Sequence, residues 1–214
     1  MKLKEIFLRA LYPEDVACCI CGKEALLDER GVCEGCENAI VPAPKFSLGD
    51  TVDEACAGVL YNDASADLVH RFKYYGCRYL GKNLSAMISL PADWRADAII
   101  PVPLHPNREK HRGYNQSLIL AQNLGGKYGM PVRNNLLKRI RNTDMQSLTS
   151  RSERRENVKD AFRASKKCAG LSIILVDDVI TSGSTSEECV RALKDAGAEK
   201  VYVIAACYAG RQEN

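Results

Sequence analysis

Apolar runs separated by amphipathic segments organise most of the chain. Four runs have the length and apolar content of buried strands: EACAGVLY (54–61), DAIIPVP (97–103), LSIILV (171–176) and KVYVIAAC (200–207). Three longer segments between them repeat apolar residues at helical spacing: ASADLVHRFKYYG (64–76), GYNQSLILAQNLGGKYG (113–129) and STSEECVRALKDAG (184–197). Strands that alternate with helices predict a parallel sheet covered by helices on both faces. Ligands bind such a sheet at the carboxyl ends of its strands.

Start and stop signals refine the helices. Asn62 or Asp63 caps the first helix and Gly76 ends it, while a second short helix is predicted over 78–89. In the segment 113–129 the residues expected on one helical face are Tyr114, Leu118, Ala121 and Leu124. These helices supply the apolar faces that the predicted sheet needs.

Three weaker signals complete the pattern. LLKRI (136–140) predicts a strand, and Ser150 with Glu153 forms a capping box for a helix over 150–162. The opening 1–13 places its apolar residues on one face of an amphipathic helix, with charges interrupting any signal-peptide core. No run approaches the ~20 apolar residues of a membrane span. We therefore expect a cytoplasmic protein without membrane insertion.

Ten cysteines are present, and four of them follow a metal-binding pattern. Two C-x-x-C pairs, Cys18 with Cys21 and Cys33 with Cys36, are separated by eleven residues that allow a small hairpin. Four thiolates satisfy a tetrahedral Zn²⁺ without an open position, so the pattern predicts a structural zinc site. A disulfide pair or free thiols are the alternatives. Glycines after the first knuckle and inside the second relieve the backbone, and Cys19 falls outside the ligand register.

A proline-bearing segment after the cysteines marks a boundary. VPAPKFSLGD (41–50) has the composition of a linker, which divides the chain into a zinc module over 1–45 and an α/β domain over 46–214.

Charge is unevenly distributed, although the net charge is only +3. Residues 105–167 hold 15 Lys and Arg against 5 Asp and Glu. This stretch favours a polyanionic ligand such as a polyphosphate or a nucleic-acid strand, and the alternative is a solvated basic face.

The stretch LVDDVITSGST (175–185) carries the most specific chemistry. An apolar strand delivers Asp177 and Asp178 to the sheet edge, and the turn 181–185 offers backbone amides and hydroxyls at a helix start. Gly183 permits close approach of the backbone. Carboxylates would repel a phosphate held at the same point, so they serve another part of the ligand, such as vicinal sugar hydroxyls. The pattern predicts a site for a ribose 5-phosphate unit.

On these residues the chain resembles type I phosphoribosyltransferases, whose fingerprint binds 5-phosphoribosyl-1-diphosphate (PRPP). Three stretches over nearly the full length resemble the ComF family, named for its part in competence for DNA uptake: ILVDDVITSGST, IIPVPLHPNREKHRGYNQS and RNTDMQSLTSRSERRENVKDAF. The resemblance implies the parallel-sheet type I phosphoribosyltransferase fold with a small N-terminal four-cysteine zinc module. It further implies a hood over about 51–95 and a core over about 96–210.

The resemblance also implies roles for individual residues. Asp177 and Asp178 would hold the ribose hydroxyls and, with Arg112, act in the reaction. The 5′-phosphate would be wrapped by Thr181, Ser182, Gly183, Ser184 and Thr185. Pyrophosphate, with Mg²⁺, would lie at the turn Val102, Pro103 and Leu104. Further phosphate contacts would come from Arg108, Lys73, Arg141 and Arg151, of which the last two bracket a loop that closes over the site. The stem of Lys73 could instead simply cover apolar surface.

Two classes of function are compatible with these residues. The first is a PRPP-binding protein that handles incoming single-stranded DNA in the cytoplasm, with proteins of the DNA-uptake machinery as partners. The second is an active phosphoribosyltransferase in nucleotide salvage, unconnected to DNA, although no base-recognition element is identifiable. Charge extending beyond the PRPP pocket would favour DNA; the basic residues in question are Arg133, Lys138, Arg139, Arg154, Arg155, Lys166 and Lys167. We interpret Tyr74, Tyr75, Tyr79 and Tyr114 as half-buried packing rather than as base-stacking residues.

Overall fold

A computed structural model gives the structure of residues 16–142 and 151–210, with Arg151 described in its backbone alone. The strands are β1 (Glu54–Leu60), β2 (Ala98–Pro101), β3 (Leu137–Arg139), β4 (Phe162–Ala164), β5 (Ser172–Ile180) and β6 (Lys200–Tyr208). The helices are α1 (Asp63–Tyr74), α2 (Leu80–Ala86), α3 (Pro106–Arg112), α4 (Gln116–Tyr128), α5 (Arg151–Val158) and α6 (Ser184–Asp195). Short 3-10 helices span Glu34–Ala39 and Lys166–Cys168. The predicted helix over 1–13 and the capping residue Ser150 lie outside the described residues.

The main sheet is parallel, as the pattern predicts. Its strand order is β1-β6-β5-β2, and all three neighbouring pairs run parallel. Successive residues of β5 point to opposite faces, so Ile173 and Leu175 enter one core cluster while Ile174 and Val176 enter another. Burial on both faces explains why the strand sequences are apolar throughout rather than alternating.

Different elements pack on the two faces of the main sheet. On one face α6 packs with β3 and β4, and the core there includes Phe162, Cys189 and Leu193. On the other face α1, α2 and α4 pack together with the cysteine-rich N-terminal segment, so that Cys18 and Phe72 share one apolar core. The first strand of the predicted hood, β1, pairs with β6 and belongs to the main sheet. The division of the chain into domains stays a prediction.

Several local expectations are corrected. The helix predicted over 150–162 ends at Val158, and Phe162 begins β4, which pairs antiparallel with β3 in a separate sheet. Asp160 adopts a positive φ of 55°, which ends the helical course of the chain before that strand. The long α4 begins at Gln116, after Tyr114, and its buried apolar face consists of Leu120, Ala121 and Leu124, with Leu118 only half-buried.

One helix was not predicted at all. α3 begins after His105, whose side chain accepts a hydrogen bond from the Asn107 amide, and Pro106 occupies its first turn. It ends at Gly113, which takes the left-handed conformation at φ 79°. These are ordinary start and stop signals, but the polar composition of the seven residues hid them.

Candidate ligand-binding site and metal centre

Asp177 and Asp178 lie within β5 near its carboxyl end. The strand continues to Ile180, so the two acids are strand residues and do not follow the strand as expected. Their side chains point to different partners. Asp177 Oδ1 accepts from Ser117 Oγ at 3.1 Å and from the Asp178 amide at 2.8 Å. Asp178 is only 9% exposed and forms an ion pair with Lys73 Nζ at 2.9 Å.

This pair of acids is electrostatically unusual. Withdrawal from water, together with the charge of Asp178, raises the pKa of Asp177 to about 7, against the opposing effects of its hydrogen bonds and of Lys73. Desolvation alone would lower the pKa of Lys73, but the charge and hydrogen bond of Asp178 outweigh it and raise that pKa. The site therefore holds carboxylate groups that lack full compensation, as binding sites often do.

The loop that follows β5 has the features of an anion site. Gly183 is the N-cap of α6 and adopts the left-handed conformation at φ 79°. It has no side chain, so no N-cap side chain accepts a hydrogen bond from the first amides of the helix. The first amides of α6 are thus not capped by this residue, and the helix dipole places partial positive charge there. Ser182 Oγ and Ser184 Oγ lie 3.0 Å apart, close enough to contact one tetrahedral anion together.

One cavity of about 330 Å³ joins the acids, the loop and the turn after β2. The residues predicted for the site that line it are Lys73, Val102, Pro103, Leu104, Arg108, Arg112, Asp177, Asp178, Thr181, Ser182, Gly183, Ser184 and Thr185. Arg141 is not among the lining residues, and it donates instead to the carbonyls of Asn157 (2.9 Å) and Lys159 (2.6 Å). The side chain of Arg151 lies outside the described part of the chain.

The turn after β2 is held from both sides. The Val102 amide donates to the Val176 carbonyl at 2.8 Å, and Asn115 Nδ2 donates to the Val102 carbonyl at 3.0 Å. Asn115 is buried at the start of α4 and also caps that helix through the Ser117 amide. The motif around residues 112–116 thus positions the backbone of the predicted pyrophosphate turn.

Eight residues that line the cavity were not predicted for it. Arg139 is one of the basic residues whose charge, if it extended beyond the pocket, would favour DNA, but it is only 8% exposed and lines the cavity from β3. Burial lowers the pKa of Arg139, and Arg108 adds to this effect. The alternation of LLKRI, which places Leu137 and Arg139 on one inward face, was the available signal. The other seven are Tyr61, Tyr74, Gln116, Ser117, Val179, Ile180 and Ser186.

Arg112 lies at the mouth of the cavity against an aromatic side chain. Its guanidinium lies 5.0 Å from the ring centroid of Tyr74 and donates to Tyr74 Oη at 3.2 Å and to Gln116 Oε1 at 3.2 Å. Tyr74, Tyr75 and Tyr79 are 59%, 69% and 60% exposed, so their interpretation as half-buried packing is wrong. That interpretation is correct for Tyr114, which is 8% exposed.

A basic ribbon lies outside the cavity. Lys138 of β3 and Arg163 of β4 are direct cross-strand partners, and both are exposed. Like charges facing each other across two strands are destabilising. In residues 16–142 and 151–210 no acidic side chain pairs with either of them. Lys166 and Lys167, in the short 3-10 helix after β4, are also exposed.

The four predicted metal ligands come together. The sulfurs of Cys18, Cys21, Cys33 and Cys36 all lie within 4.8 Å of one another. Thiolates around a tetrahedral Zn²⁺ are separated by about 3.8 Å, and the Cys21 and Cys33 sulfurs are 3.8 Å apart. The geometry fits the ion. It is also the only such group of possible metal ligands in the described parts of the chain.

The backbone around the sulfurs follows the knuckle pattern. The Cys33 amide donates to Cys18 Sγ at 3.4 Å. Burial would raise the pKa of Cys18, but backbone hydrogen bonds from Cys21, Cys33 and Ile20 outweigh it and lower that pKa to about 6. Gly22 has a positive φ of 71°, as its role after the knuckle requires, whereas Gly35 has no such conformation. Isolated antiparallel bridges join Ala17 to Glu24 and Leu27 to Cys33.

Comparison with known proteins identifies the family. The chain is 30% identical to Competence protein F of Haemophilus influenzae, over 87% of this chain and 94% of that protein. The chain belongs to the ComF family. It is 26% identical to competence protein ComFC of Bacillus subtilis, over 84% of this chain and 72% of that one. A match to the DNA utilization protein YhgH of Escherichia coli K12, at 37% identity, spans 52% of this chain and 49% of that protein.

The phosphoribosyl transferase domain model matches residues 117–214 of this ComF protein. That range contains both acids, the turn 181–185 and α6, while the four cysteines precede it. Among solved structures, the glutamine PRPP amidotransferase of B. subtilis is similar over 60% of this chain and 25% of that chain, with 24% identity and a TM-score of 0.40. The domain match and the parallel sheet establish the phosphoribosyltransferase fold, joined to an N-terminal four-cysteine module.

In the described residues of this ComF protein, no helix is both long enough and apolar enough to cross a lipid bilayer.

Proposed function

We propose that this ComF protein binds PRPP, together with Mg²⁺, in the cavity at the carboxyl edge of the sheet. The observation that carries the proposal is the joining of paired carboxylates and an anion loop in one cavity, within nine residues of chain. Asp177 and Asp178 would accept hydrogen bonds from the ribose hydroxyls, and residues 181–185 would hold the 5′-phosphate.

The pyrophosphate of PRPP would lie at residues 102–104. Arg108, Arg112 and Arg139 line the cavity near this turn and would neutralise its charge. Mg²⁺ would enter with the ligand, since it prefers phosphate oxygens and water over a cage made only of protein groups. Lys73 would leave Asp178 for a phosphate oxygen when the ribose takes its place.

The test is calorimetric titration of PRPP with Mg²⁺ into the wild type and an Asp177→Asn, Asp178→Asn variant. We expect binding to the wild type and at least a tenfold loss in the variant, since each neutral amide replaces an acceptor with a group that also donates. Asp50→Asn, which changes an exposed acid outside the cavity, is the matched control and should bind as the wild type does. Equal binding by the wild type and the double variant would refute the ribose assignment.

We further propose that the protein handles single-stranded DNA in the cytoplasm, together with proteins of the DNA-uptake machinery. The observation in favour is the ribbon of Lys138 and Arg163, whose mutual repulsion would be relieved by a phosphate backbone. The names of its relatives, Competence protein F and DNA utilization protein YhgH, agree with a role in DNA uptake.

Fluorescence anisotropy with a labelled oligo-dT strand tests the DNA proposal. A Lys138→Glu, Arg163→Glu variant should bind more weakly, and the slope of affinity against salt should fall by about 0.7 for each phosphate that the variant no longer neutralises. Lys23→Glu, Lys200→Glu is the control, since both lysines are exposed and lie outside the ribbon. An unchanged affinity and salt slope in the ribbon variant would exclude this surface as the DNA site.

The second candidate function is an active phosphoribosyltransferase in salvage. Three arginines beside the predicted pyrophosphate turn favour it, because such groups stabilise a leaving group as the C1–O bond of PRPP breaks. The acceptor would form the new bond to C1, and the bonding electrons would leave with pyrophosphate. Pyrophosphate release measured with PRPP and each candidate base separates the two functions: release with one acceptor makes the protein an enzyme, and binding without release favours the DNA-handling role.

A further inference from the structure

Four consecutive residues at the end of α1 each contact a different part of the molecule. The Arg71 guanidinium donates to the carbonyl of Cys19, and the Phe72 carbonyl accepts from Tyr114 Oη. Lys73 pairs with Asp178 at 2.9 Å. Tyr74 Oη accepts from Arg112 at 3.2 Å. One helical turn therefore connects the four-cysteine module with the floor and the mouth of the cavity.

The side chains that make the connection are held by ion pairs and by burial. Arg71 is braced within its own helix by Asp67, with Nε and Oδ2 2.8 Å apart. Phe72 is fully buried, and the Lys73 side chain is only 19% exposed. Residues within one turn of a helix move together, because the backbone hydrogen bonds of the turn fix their spacing. A shift at Arg71 is thus passed to Lys73.

Arg71 contacts the module at a carbonyl group that lies between two predicted metal ligands. Cys19 lies inside the first knuckle, between the predicted ligands Cys18 and Cys21. A metal held by both ligands fixes the path of the backbone between them, including the Cys19 carbonyl. Without the metal, four thiols have no common partner, and the carbonyl loses its fixed position relative to α1.

We propose that Arg71 is a positioning residue that couples metal binding in the four-cysteine module to ligand binding at the ribose site. The proposal rests on the PRPP binding proposed above. A metal-loaded knuckle holds the last turn of α1 in place, so that Lys73 neutralises Asp178 in the empty site and lies ready for a phosphate of the ligand. Such a coupling is reciprocal: PRPP must strengthen metal retention by the same factor by which the metal strengthens PRPP binding.

Asn83 supplies a matched control. Its Nδ2 donates to the Arg30 carbonyl at 2.9 Å, which is also a bond from the helical layer to the module. Asn83 belongs to α2, and no residue of α2 lines the cavity. An Asn83→Ala variant therefore weakens the docking of the module without touching the turn that carries Lys73.

The experiment uses the full chain, loaded with zinc, as wild type, Arg71→Gln and Asn83→Ala. Zinc release to a competing chromogenic chelator is measured at equilibrium with and without PRPP and Mg²⁺, and the PRPP dissociation constant is measured by calorimetry. Wild type and Asn83→Ala should bind zinc about five-fold or more tightly in the presence of PRPP. In Arg71→Gln this protection should disappear and PRPP should bind more weakly. Arg71→Lys, which keeps a donor, should recover part of both effects.

Three results would contradict the proposal, each at a different point. PRPP that binds the wild type but leaves its zinc release unchanged would overturn the coupling and leave the proposed function intact. The same protection in Arg71→Gln as in the wild type would overturn the role of Arg71. Absence of PRPP binding to the zinc-loaded wild type would refute the proposed function, and the coupling with it. Far-UV circular dichroism of the zinc-loaded variants confirms that the folded proteins are being compared.

Discussion

Paired acids near the carboxyl end of a largely buried strand lower the stability of the empty protein. Asp177 has a pKa of about 7, far above the ordinary value of 3.8, because it lies away from water and beside Asp178. Part of the compensation comes from Lys73, which reaches Asp178 from another element. A stable fold would be easier to build with apolar or amide residues at these positions. Two carboxylates in the lining of the cavity agree with a role in binding, because binding sites often contain groups that lower the stability of the empty protein.

Replacing Asp177 by Asn should stabilise the ligand-free protein at neutral and alkaline pH. The raised pKa means that Asp177 favours the folded state below about pH 4, and that this contribution is lost as pH rises through about 7. The amide carries no charge, and its oxygen can keep the hydrogen bond from Ser117. We expect the gain to be larger at pH 8 than at pH 5 by up to roughly 2.5 kcal/mol, since each pH unit between pH 5 and about 7 is worth about 1.4 kcal/mol.

Thermal unfolding of both proteins between pH 5 and pH 8 measures this effect. The difference in melting temperature should grow with pH. A difference that shrinks as pH rises would mean that Asp177 is stabilised as a carboxylate in the folded protein.

The unit of strand, loop and helix from β5 to α6 places its ligand groups by backbone geometry. Gly183 is the pivot of this unit, with φ 79°. A Cβ built on it would lie 2.5 Å from Leu48 Cδ2, so the loop is both in a left-handed conformation and closely covered. An L side chain rarely adopts this φ, and the close contact with Leu48 adds to the difficulty. The glycine is therefore required for the shape of the anion loop.

A Gly183→Ala substitution should lower stability by about 1–3 kcal/mol and weaken PRPP binding, because the strained loop no longer directs its amides at one point. Gly126→Ala is the control: Gly126 is exposed within α4, and a Cβ there meets nothing within 4 Å. This control should gain up to about 1 kcal/mol from helix propensity. Chemical denaturation and calorimetric titration report the two effects. Wild-type stability and affinity in Gly183→Ala would show that the loop does not need this conformation.

At the scale of the whole molecule, the cysteine module is part of the main core and not an appendage. Cys18, Cys19 and Val32 pack in the same cluster as Leu68, and Gly31 approaches Asn83 so closely that a Cβ would lie 2.0 Å from its amide nitrogen. A module of this size has little core of its own, so a metal ion and a neighbouring apolar surface both contribute to its stability. Loss of the metal should therefore lower the stability of the whole protein and not of the module alone.

A Cys33→Ser, Cys36→Ser variant should lose the metal and unfold at lower temperature. Purified wild-type protein should contain about one zinc ion per chain, since four thiolates complete one tetrahedral shell. Elemental analysis and thermal unfolding measure the two properties. Cys77→Ser, which removes a half-buried thiol outside the cluster, should keep the metal. Full zinc occupancy in the double variant would rule out the four-cysteine site.

The sequence by itself determined the features that are local along the chain. The strand that carries Asp177 and Asp178, the loop with Gly183 and the spacing of the four cysteines are short segments whose own backbone geometry sets their shape. The apolar runs are local in the same sense, because a strand that is buried on both faces of a parallel sheet has a nearly continuous apolar sequence. The fold class and the family follow from such local features, and both predictions are confirmed.

Only the tertiary structure decided which distant residues meet. Arg139 enters the cavity from β3, Arg141 turns to the carbonyls beside α5, and Arg71 reaches the knuckle at Cys19. Each of these outcomes depends on how separate elements pack, and a long basic side chain carries no sign in the sequence of the partner it will find. Hydrophobic periodicity specifies which face of an element is buried, but it does not specify which element packs opposite that face. The partners of charged residues depend on that packing.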